Sequence, residues 1–312
     1  MAKTPRSLAG KVVAITGGGR GIGRATATAL IAEGARVALG DIDAALAVRT
    51  AEEIAPSDPG ATGETGPTDP EATRPGAIGL PLDVTDPASF ETFLAETERQ
   101  LGPLDVLVNN AGIMPIGPFS EERDETTAQV IDINVRGVVI GSKLALRRFL
   151  PRGAGHLVNI SSSAGKTGVA GGVTYCTSKH AVVGLSEAIR QEVRGTSIGV
   201  SIVMPIPVNT ELGAGLQRIR GFPSVEPEDV ARAIVAALQF GRVDVYVPRE
   251  IGWLLRSASV LPRPVVDLIS RLMGVDKVLA NPDRAARAAY EARISPLAPD
   301  GEEPRTKAAG AA

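Results

Sequence analysis

The feature that most constrains the fold is a glycine-rich turn near the N-terminus. Residues 11–16, KVVAIT, are typical of a short buried strand, and the chain then runs through Thr16-Gly-Gly-Gly-Arg-Gly-Ile-Gly23. Residues 20–33 follow with apolar side chains at helical spacing. Glycines also serve in ordinary turns, so the flanking strand and helix are what make this one informative. Strand, turn and helix in this order indicate an α/β fold whose turn can approach a pyrophosphate at the helix N-terminus.

Length and composition narrow the class of protein. The chain has 312 residues, enough for one large α/β domain or two ordinary ones, and the strand and helix signals favour one. The net charge is −2 with both signs interspersed, so we expect no nucleic-acid partner. A single cysteine, Cys176, is typical of a reducing compartment, and with only two histidines we expect no metal cluster. With no signal-peptide run and no apolar stretch of membrane-spanning length, we expect a cytoplasmic protein.

The second strand suggests which dinucleotide the turn would hold. Residues 36–40, RVALG, form a short apolar run that ends at Asp41. A carboxylate about twenty residues past the glycines can accept hydrogen bonds from the ribose hydroxyls of NAD and would repel the 2′-phosphate of NADP. Asp41 could instead cap the helix that begins near Asp43, and the two roles are compatible. The position of Asp41 predicts NAD as the cofactor.

The chemistry is expected in residues 159–180, which contain Ser162, Tyr175 and Lys179. If the chain is helical from about Thr174 onward, Tyr175 and Lys179 share one helical face. Lowering the pKa of a tyrosine from near 10 by about three units requires roughly 4 kcal/mol. A cation about 4 Å away, at an effective dielectric near 20, supplies about that much. We therefore expect Lys179 to lower the pKa of Tyr175 for acid/base catalysis, with Ser162 hydrogen-bonding the substrate oxygen.

A tyrosine and a lysine four residues apart are a weak signal alone, but Ser162 and the glycine turn strengthen it. Together the three motifs resemble the classical short-chain dehydrogenase/reductase family, over about residues 11–247. The resemblance implies a Rossmann-type, doubly wound α/β domain with a parallel seven-stranded sheet in the order 3-2-1-4-5-6-7. It also implies an NAD-dependent oxidoreductase that interconverts a secondary alcohol and a ketone. Only the spacing to Tyr175 selects Ser162 over Ser161 and Ser163.

The resemblance assigns further roles along the chain. Asp83 and Val84 would contact the adenine, and Lys179 would also bind the nicotinamide ribose. Asn134, inside a helix predicted over residues 126–149, would bend that helix around a water and extend a proton relay beyond Lys179. The remaining implied cofactor contacts are Gly17, Gly19, Arg20, Gly21, Ile22, Gly23, Ile42, Asn110, Ala111, Gly112, Tyr175, Pro205, Val208 and Thr210.

Two positions depart from the simplest version of the family pattern. Arg20 argues for NADP, since NADP-dependent members often carry a basic residue in the glycine turn; we give Asp41 precedence. Ile206 replaces the glycine that usually follows Pro205, which puts the geometry of this loop in doubt. Val208 still matches the apolar residue whose backbone would contact the nicotinamide carboxamide, and Thr210 still matches the hydroxyl donor. Residues 211–222 would form a mobile cover over the substrate.

The ends of the chain and one internal segment fall outside the family pattern. Residues 56–76 are rich in proline and glycine and read as a flexible surface insertion, with a ligand-specific role as the alternative. The apolar start of the segment after Val247 could cover the cleft, form a subunit interface or lie on a membrane surface through residues 249–273, and we favour packing against protein. The predicted parts are an N-terminal arm (1–10), the dehydrogenase domain (11–247), a C-terminal extension (248–297) and a disordered tail (298–312).

The apolar residues of the extension suggest a lipophilic small-molecule substrate. Two alternatives stay open: an NADPH-linked reductase of ketoacyl-type substrates, and a cofactor-binding regulatory protein without turnover. From the family we also expect a homotetramer or homodimer, formed through the long helices around Asn134 and Tyr175.

Overall fold

Seven parallel strands form the centre of the structure, a computed structural model that describes residues 4–55, 76–217, 219–258 and 260–295. The strand order is β3-β2-β1-β4-β5-β6-β7, as predicted, and the fold is a Rossmann-type doubly wound sheet. The strands are β1 (Val12–Thr16), β2 (Arg36–Asp41), β3 (Ala77–Pro81), β4 (Val106–Asn109), β5 (Ala154–Ile160), β6 (Ser197–Pro205) and β7 (Asp244–Val247).

Helices cover both faces of the sheet and continue beyond the last strand. They are α1 (Gly21–Ala32), α2 (Ala44–Ile54), α3 (Pro87–Leu101), α4 (Asp124–Ile131), α5 (Gly137–Arg152), α6 (Val173–Glu192), α7 (Pro227–Phe240), α8 (Glu250–Ala258), α9 (Arg263–Met273) and α10 (Arg284–Ile294). Short 3-10 turns occupy Phe119–Glu121, Ser163–Gly165 and Val275–Lys277. The sequence predicts helices over residues 87–101 and 227–240, and α3 and α7 have these bounds, with a proline at the first helical position in each case.

The sheet is buried on both faces because its strands are apolar at consecutive positions. In β1, Val13 and Ile15 belong to one core, whereas Val12 and Ala14 belong to the other. Such continuous apolar strands are typical of parallel sheets covered by helices on both sides. Since all the strands run in the same direction, their carboxyl ends lie along one edge, where open α/β sheets bind ligands.

Two helix predictions need correction. The helix expected over residues 126–149 consists of α4 and α5 joined by a π-helical turn at Asp132–Arg136. The alanine- and arginine-rich residues 281–293 predict a second helix, which in the structure begins at Arg284, because the side chain of Asp283 accepts hydrogen bonds from the amides of Ala285 and Ala286 and so caps α10. The predicted flexible insertion, apart from residue 76, and the predicted tail lie outside the described residues. No helix in the described ranges is both long and apolar enough to cross a membrane.

Candidate active site

A cavity of about 1260 Å³ opens at the carboxyl ends of the strands, between the glycine turn and the helices that follow β7. Three predicted site residues, Gly19, Gly23 and Asn134, lie behind its wall. The other predicted site residues line it: Gly17, Arg20, Gly21, Ile22, Asp41, Ile42, Asp83, Val84, Asn110, Ala111, Gly112, Ser162, Tyr175, Lys179, Pro205, Val208 and Thr210. In the described parts of the chain, no group of three His, Cys, Asp or Glu residues is placed to hold a metal ion.

The glycine turn forms a cradle that larger residues would fill. A Cβ atom at Gly23 would lie 2.2 Å from the carbonyl oxygen of Gly17, and Gly17 itself has a left-handed φ of +62°. The Asn110 side chain donates hydrogen bonds to the carbonyls of Thr16 and Gly17, at 2.9 and 3.0 Å. The turn is thereby fastened to the end of β4 and leads directly into the N-terminus of α1. This cradle fits the pyrophosphate of a dinucleotide.

Asp41 is buried in the cavity wall, 8% exposed. One carboxylate oxygen accepts from the backbone amide of Gly19 and the other from that of Asp43, each at 3.1 Å. The cap of α2 is Asp43, whose side chain accepts from the amide of Leu46. The alternative role of Asp41 as the helix cap is therefore wrong. Asp41 instead ties the glycine turn to β2 and presents a negative charge to the cavity.

The charge of Arg20 is partly compensated by two carboxylates. Its guanidinium lies 3.3 Å from Glu211 and 3.8 Å from Asp43, with all three side chains about a third to a half exposed. Glu211 also pairs with Arg293 of α10 at 2.6 Å. Arg20 is thus less available to a 2′-phosphate than its position in the sequence suggests.

The segment after β3 borders the cavity. The Asp83 side chain accepts from the amide and hydroxyl of Thr85, at 2.8 and 2.7 Å, which shapes this loop. Val84 packs directly against Gly137, where an added Cβ atom would lie 3.0 Å from the valine side chain. Both predicted adenine contacts therefore lie at the cavity wall.

Ser162, Tyr175 and Lys179 meet in the wall of the same cavity, each less than a tenth exposed. Ser162 follows the end of β5, and its hydroxyl lies near the phenol of Tyr175 and 3.4 Å from the carbonyl oxygen of Pro205. Tyr175 and Lys179 lie one turn apart on α6, with the ammonium nitrogen 5.7 Å from the centre of the phenol ring. The neighbouring Ser161 donates its hydroxyl to the carbonyl of Lys179 at 2.9 Å and so anchors α6. The serine beside the phenol is the one that spacing selected.

The pKa of Tyr175 is not lowered in this structure, contrary to the expectation from the sequence. Burial raises the pKa of the phenol well above its usual value, and the nearby Ser162 hydroxyl opposes this only in part. Burial also lowers the pKa of Lys179 to about 8. Removing a phenolate from water costs more than the nearby cation returns, and the Lys179 ammonium instead donates a hydrogen bond to the carbonyl of Ile160 at 3.0 Å. Tyr175 is therefore a neutral phenol at neutral pH, a form that can give a proton.

Asn134 is fully buried in the π-helical turn between α4 and α5. Its side-chain oxygen accepts from the amide of Ile113 at 2.8 Å. The side-chain nitrogen donates to the carbonyl of Ile113 and the hydroxyl of Ser178, at 2.9 and 3.1 Å. A π-helical turn lies where the bend was predicted, and Asn134 holds this turn against the segment after β4 and against α6.

The loop after β6 accommodates Ile206 without strain. Its amide donates to the carbonyl of Val247 at 2.9 Å, which continues the pairing of β6 with β7, and its side chain is buried. No residue other than glycine has a positive φ in the described parts of the chain. Val208 then forms a bridge with Val225, and Thr210 follows beside Gly21.

The sequence reasoning missed the residues of α10 that complete the cavity. Arg287 is fully buried and donates to the carbonyls of Leu212 and Ala214, both at 3.0 Å, and of Met114 at 2.8 Å. Tyr290 lines the cavity and accepts from the amide of Met114 at 2.8 Å. The usable signal was the spacing of these residues on one face of an otherwise alanine-rich helix.

Comparison with known proteins agrees with this geometry. The family model described as short chain dehydrogenase matches residues 11–220. The chain is 33% identical over 238 residues to a sorbitol dehydrogenase of Cereibacter sphaeroides, covering 76% of this chain and 86% of the relative. It is 34% identical over 249 residues to 2-(S)-hydroxypropyl-CoM dehydrogenase 3 of Xanthobacter autotrophicus, covering 74% and 90%. A solved short chain dehydrogenase/reductase from Burkholderia phymatum in complex with NAD is similar with a TM-score of 0.68 at 26% identity, covering 80% of this chain and 93% of that one.

Proposed function

This chain belongs to the short-chain dehydrogenase family and is an oxidoreductase acting on alcohols and ketones. We propose that it uses NAD and that its substrates are lipophilic secondary alcohols or the corresponding ketones. The observation that carries the proposal is the meeting of Ser162, Tyr175 and Lys179 in one cavity with the glycine cradle. Such a cavity allows a substrate oxygen to reach the phenol beside a bound nicotinamide.

The glycine turn and the ends of β2 and β4 would hold NAD, whose nicotinamide ring would accept the hydride in oxidation and donate it in reduction. Tyr175 gives its phenolic proton to the carbonyl oxygen in reduction. In oxidation the phenol first loses its proton, and the phenolate then takes the hydroxyl proton. Ser162 donates a hydrogen bond to the same oxygen and holds it beside the phenol. The Lys179 ammonium, one turn along α6, stabilises the phenolate that forms. Asn134 positions the segment after β4 next to Lys179, where a proton relay would begin.

The preference for NAD is supported by the charges around the ribose end of the cavity. Asp41 presents a buried carboxylate, which would repel a 2′-phosphate. Arg20, the residue that argues for NADP, is engaged by Glu211 and Asp43.

The preference for a lipophilic substrate is supported by the walls that α8 and α9 contribute. The inner faces of these helices are apolar: Ile251, Leu254, Leu255, Val266, Ile269 and Met273. Burying apolar surface of a ligand against them would stabilise the complex by about 25 cal/mol per Å² removed from water, before the costs of association.

The test is a Tyr175→Phe variant assayed by NADH absorbance on a panel of lipophilic secondary alcohols and ketones. Loss of the proton donor should reduce kcat/KM by roughly 10²–10⁴-fold, while the affinity for NADH stays nearly unchanged. Tyr246→Phe is the matched control, because Tyr246 is a buried tyrosine on β7 outside the cavity lining. Undiminished turnover in Tyr175→Phe, or wild-type protein that binds NADH but turns over no compound, would overturn the proposal.

A further inference from the structure

Tyr290 brings a second phenol into the cavity, from a part of the chain that the family match does not include. The match ends at residue 220, whereas Tyr290 lies on α10 and is 5% exposed. Its ring lines the same cavity as Tyr175 and Ser162. A negative charge on Tyr290 would raise the pKa of Tyr175, so the two phenols lie within electrostatic reach of each other. The reacting centre therefore has a second polar group nearby.

The position of Tyr290 is fixed by charged neighbours on its own helix. The guanidinium groups of Arg287 and Arg293 lie 5.0 and 5.5 Å from the centre of its ring. Arg287 in turn bonds carbonyls on both sides of the cavity, and the amide of Asp283 donates to the carbonyl of Gly215 at 2.8 Å. A ring held in this way loses little further freedom when it binds a ligand, which is the advantage of a preorganised contact.

The hydrogen-bonding capacity of the Tyr290 phenol is only half used. Its oxygen accepts from the amide of Met114, so the phenolic hydrogen must be directed elsewhere. No hydrogen bond donated by this phenol is formed with any residue in the described parts of the chain. Burial raises the pKa of Tyr290 to about 12, which keeps the group protonated and able to donate. Buried donors are normally satisfied, and the space open to this one is the substrate cavity.

We propose that Tyr290 donates a hydrogen bond to a second oxygen of the substrate, while Ser162 and Tyr175 hold the oxygen that reacts. The preferred substrates are then lipophilic alcohols or ketones with a further hydroxyl, carbonyl or ether oxygen. This inference rests on the proposed function and narrows its substrate class. Tyr290 acts as a specificity-determining residue, because its buried phenol shares this wall of the cavity with apolar side chains such as Leu216 and Met273.

The test measures kcat/KM for a cyclic ketone and for its derivatives hydroxylated at successive ring carbons. The wild type, Tyr290→Phe and the control Tyr246→Phe are each assayed with all of these ketones. In the wild type, at least one hydroxylated ketone should exceed the parent in kcat/KM by about tenfold or more. Tyr290→Phe also removes the acceptor of the Met114 amide, so kcat/KM for the parent should fall somewhat, but kcat/KM for the hydroxylated ketone should fall about tenfold further and the advantage should disappear. Tyr246→Phe should keep the advantage.

Three results would overturn the inference. One is a wild type that shows no advantage for any oxygenated ketone. Another is a Tyr290→Phe variant that retains the advantage. The third is an equal fall for parent and hydroxylated ketones, which indicates a purely structural role. If Tyr290→Phe does not fold, the wild type is assayed with a ligand in which CH₂ replaces the second oxygen. Loss of the advantage in kcat/KM is then the expected result. Absence of turnover for every ketone contradicts the proposed function itself, which separates that failure from failure of this inference.

Discussion

The two halves of the cavity are built in different ways. The cofactor half is made by backbone groups and short side chains at the ends of β1, β2 and β4, such as Gly17, Asp41 and Asn110. The substrate half is closed by α8–α10, and its best-anchored point is Arg287, whose carbonyl partners lie 73, 75 and 173 residues away in the chain. The geometry of the cofactor half is set by the backbone of the sheet, whereas the geometry of the substrate half depends on a few long side chains. This difference predicts that the two halves can be disturbed separately.

The surroundings of the two halves differ as well. Around the cofactor half, the strands are buried on both faces. In the substrate half, α8 and α9 expose large apolar side chains, including Trp253 at 76%, Leu268 at 57% and Leu272 at 65%. Regions with fewer buried contacts open at a lower free energy than the core. We therefore expect the substrate half to unfold locally while the cofactor half remains intact.

Replacing Arg287 by Met should have the largest effect of the three substitutions. The effect should be confined to the substrate half of the cavity. The carbonyls of Met114, Leu212 and Ala214 would lose their donor, and each buried acceptor left unpaired costs about 1–3 kcal/mol. The docking of α10 should then weaken by about 3 kcal/mol or more, which hydrogen exchange over residues 284–294 measures. Turnover should fall, while NADH affinity should change less than about twofold.

The matched control for this prediction is Arg284→Met, an exposed arginine on the same helix. It should leave both exchange and turnover close to wild type. If Arg287→Met lost NADH affinity together with turnover, the two halves of the cavity would be structurally coupled. That result would contradict the prediction that they can be disturbed separately.

The contrast between the halves also explains what the sequence could predict. The strand order and the positions of Gly17, Asp41 and Asn110 follow from short motifs next to recognisable strands. These residues act through local backbone geometry, which a motif specifies. Their contacts can therefore be anticipated without knowing the tertiary packing.

Arg287 and Tyr290 could not be predicted in the same way. The alanine-rich segment indicates a helix, but its sequence does not specify which face is buried or what it meets. The predicted lowering of the Tyr175 pKa was wrong for a related reason. The pairing with Lys179 can be read from spacing, whereas the burial that dominates the shift depends on every element packed around the phenol.

Replacing Gly23 by Ala tests the cofactor half, with an intermediate effect. The added Cβ atom would lie 2.2 Å from the carbonyl oxygen of Gly17, so the turn has to move. Overpacking of this kind costs about 1–3 kcal/mol, which corresponds to a roughly fivefold to 150-fold loss of NADH affinity in a titration. Exchange over residues 284–294 should stay unchanged. Gly117→Ala is the control, because a Cβ there meets nothing within 4 Å.

Replacing Asp41 by Ser should have the smallest effect and sharpens the chemistry of the cofactor half. Serine can keep one of the two backbone hydrogen bonds, so the turn should hold its shape, but the negative charge facing the ribose is lost. Because Asp41 faces the open cavity, we take the removal of its charge to be worth about 1 kcal/mol, which shifts the ratio of NADPH to NADH affinity by roughly fivefold. Arg20 stays paired with Glu211 and Asp43, so it should limit the gain in NADPH binding. An unchanged ratio would show that Asp41 fastens the turn without selecting the cofactor, and the preference for NAD would then need another origin.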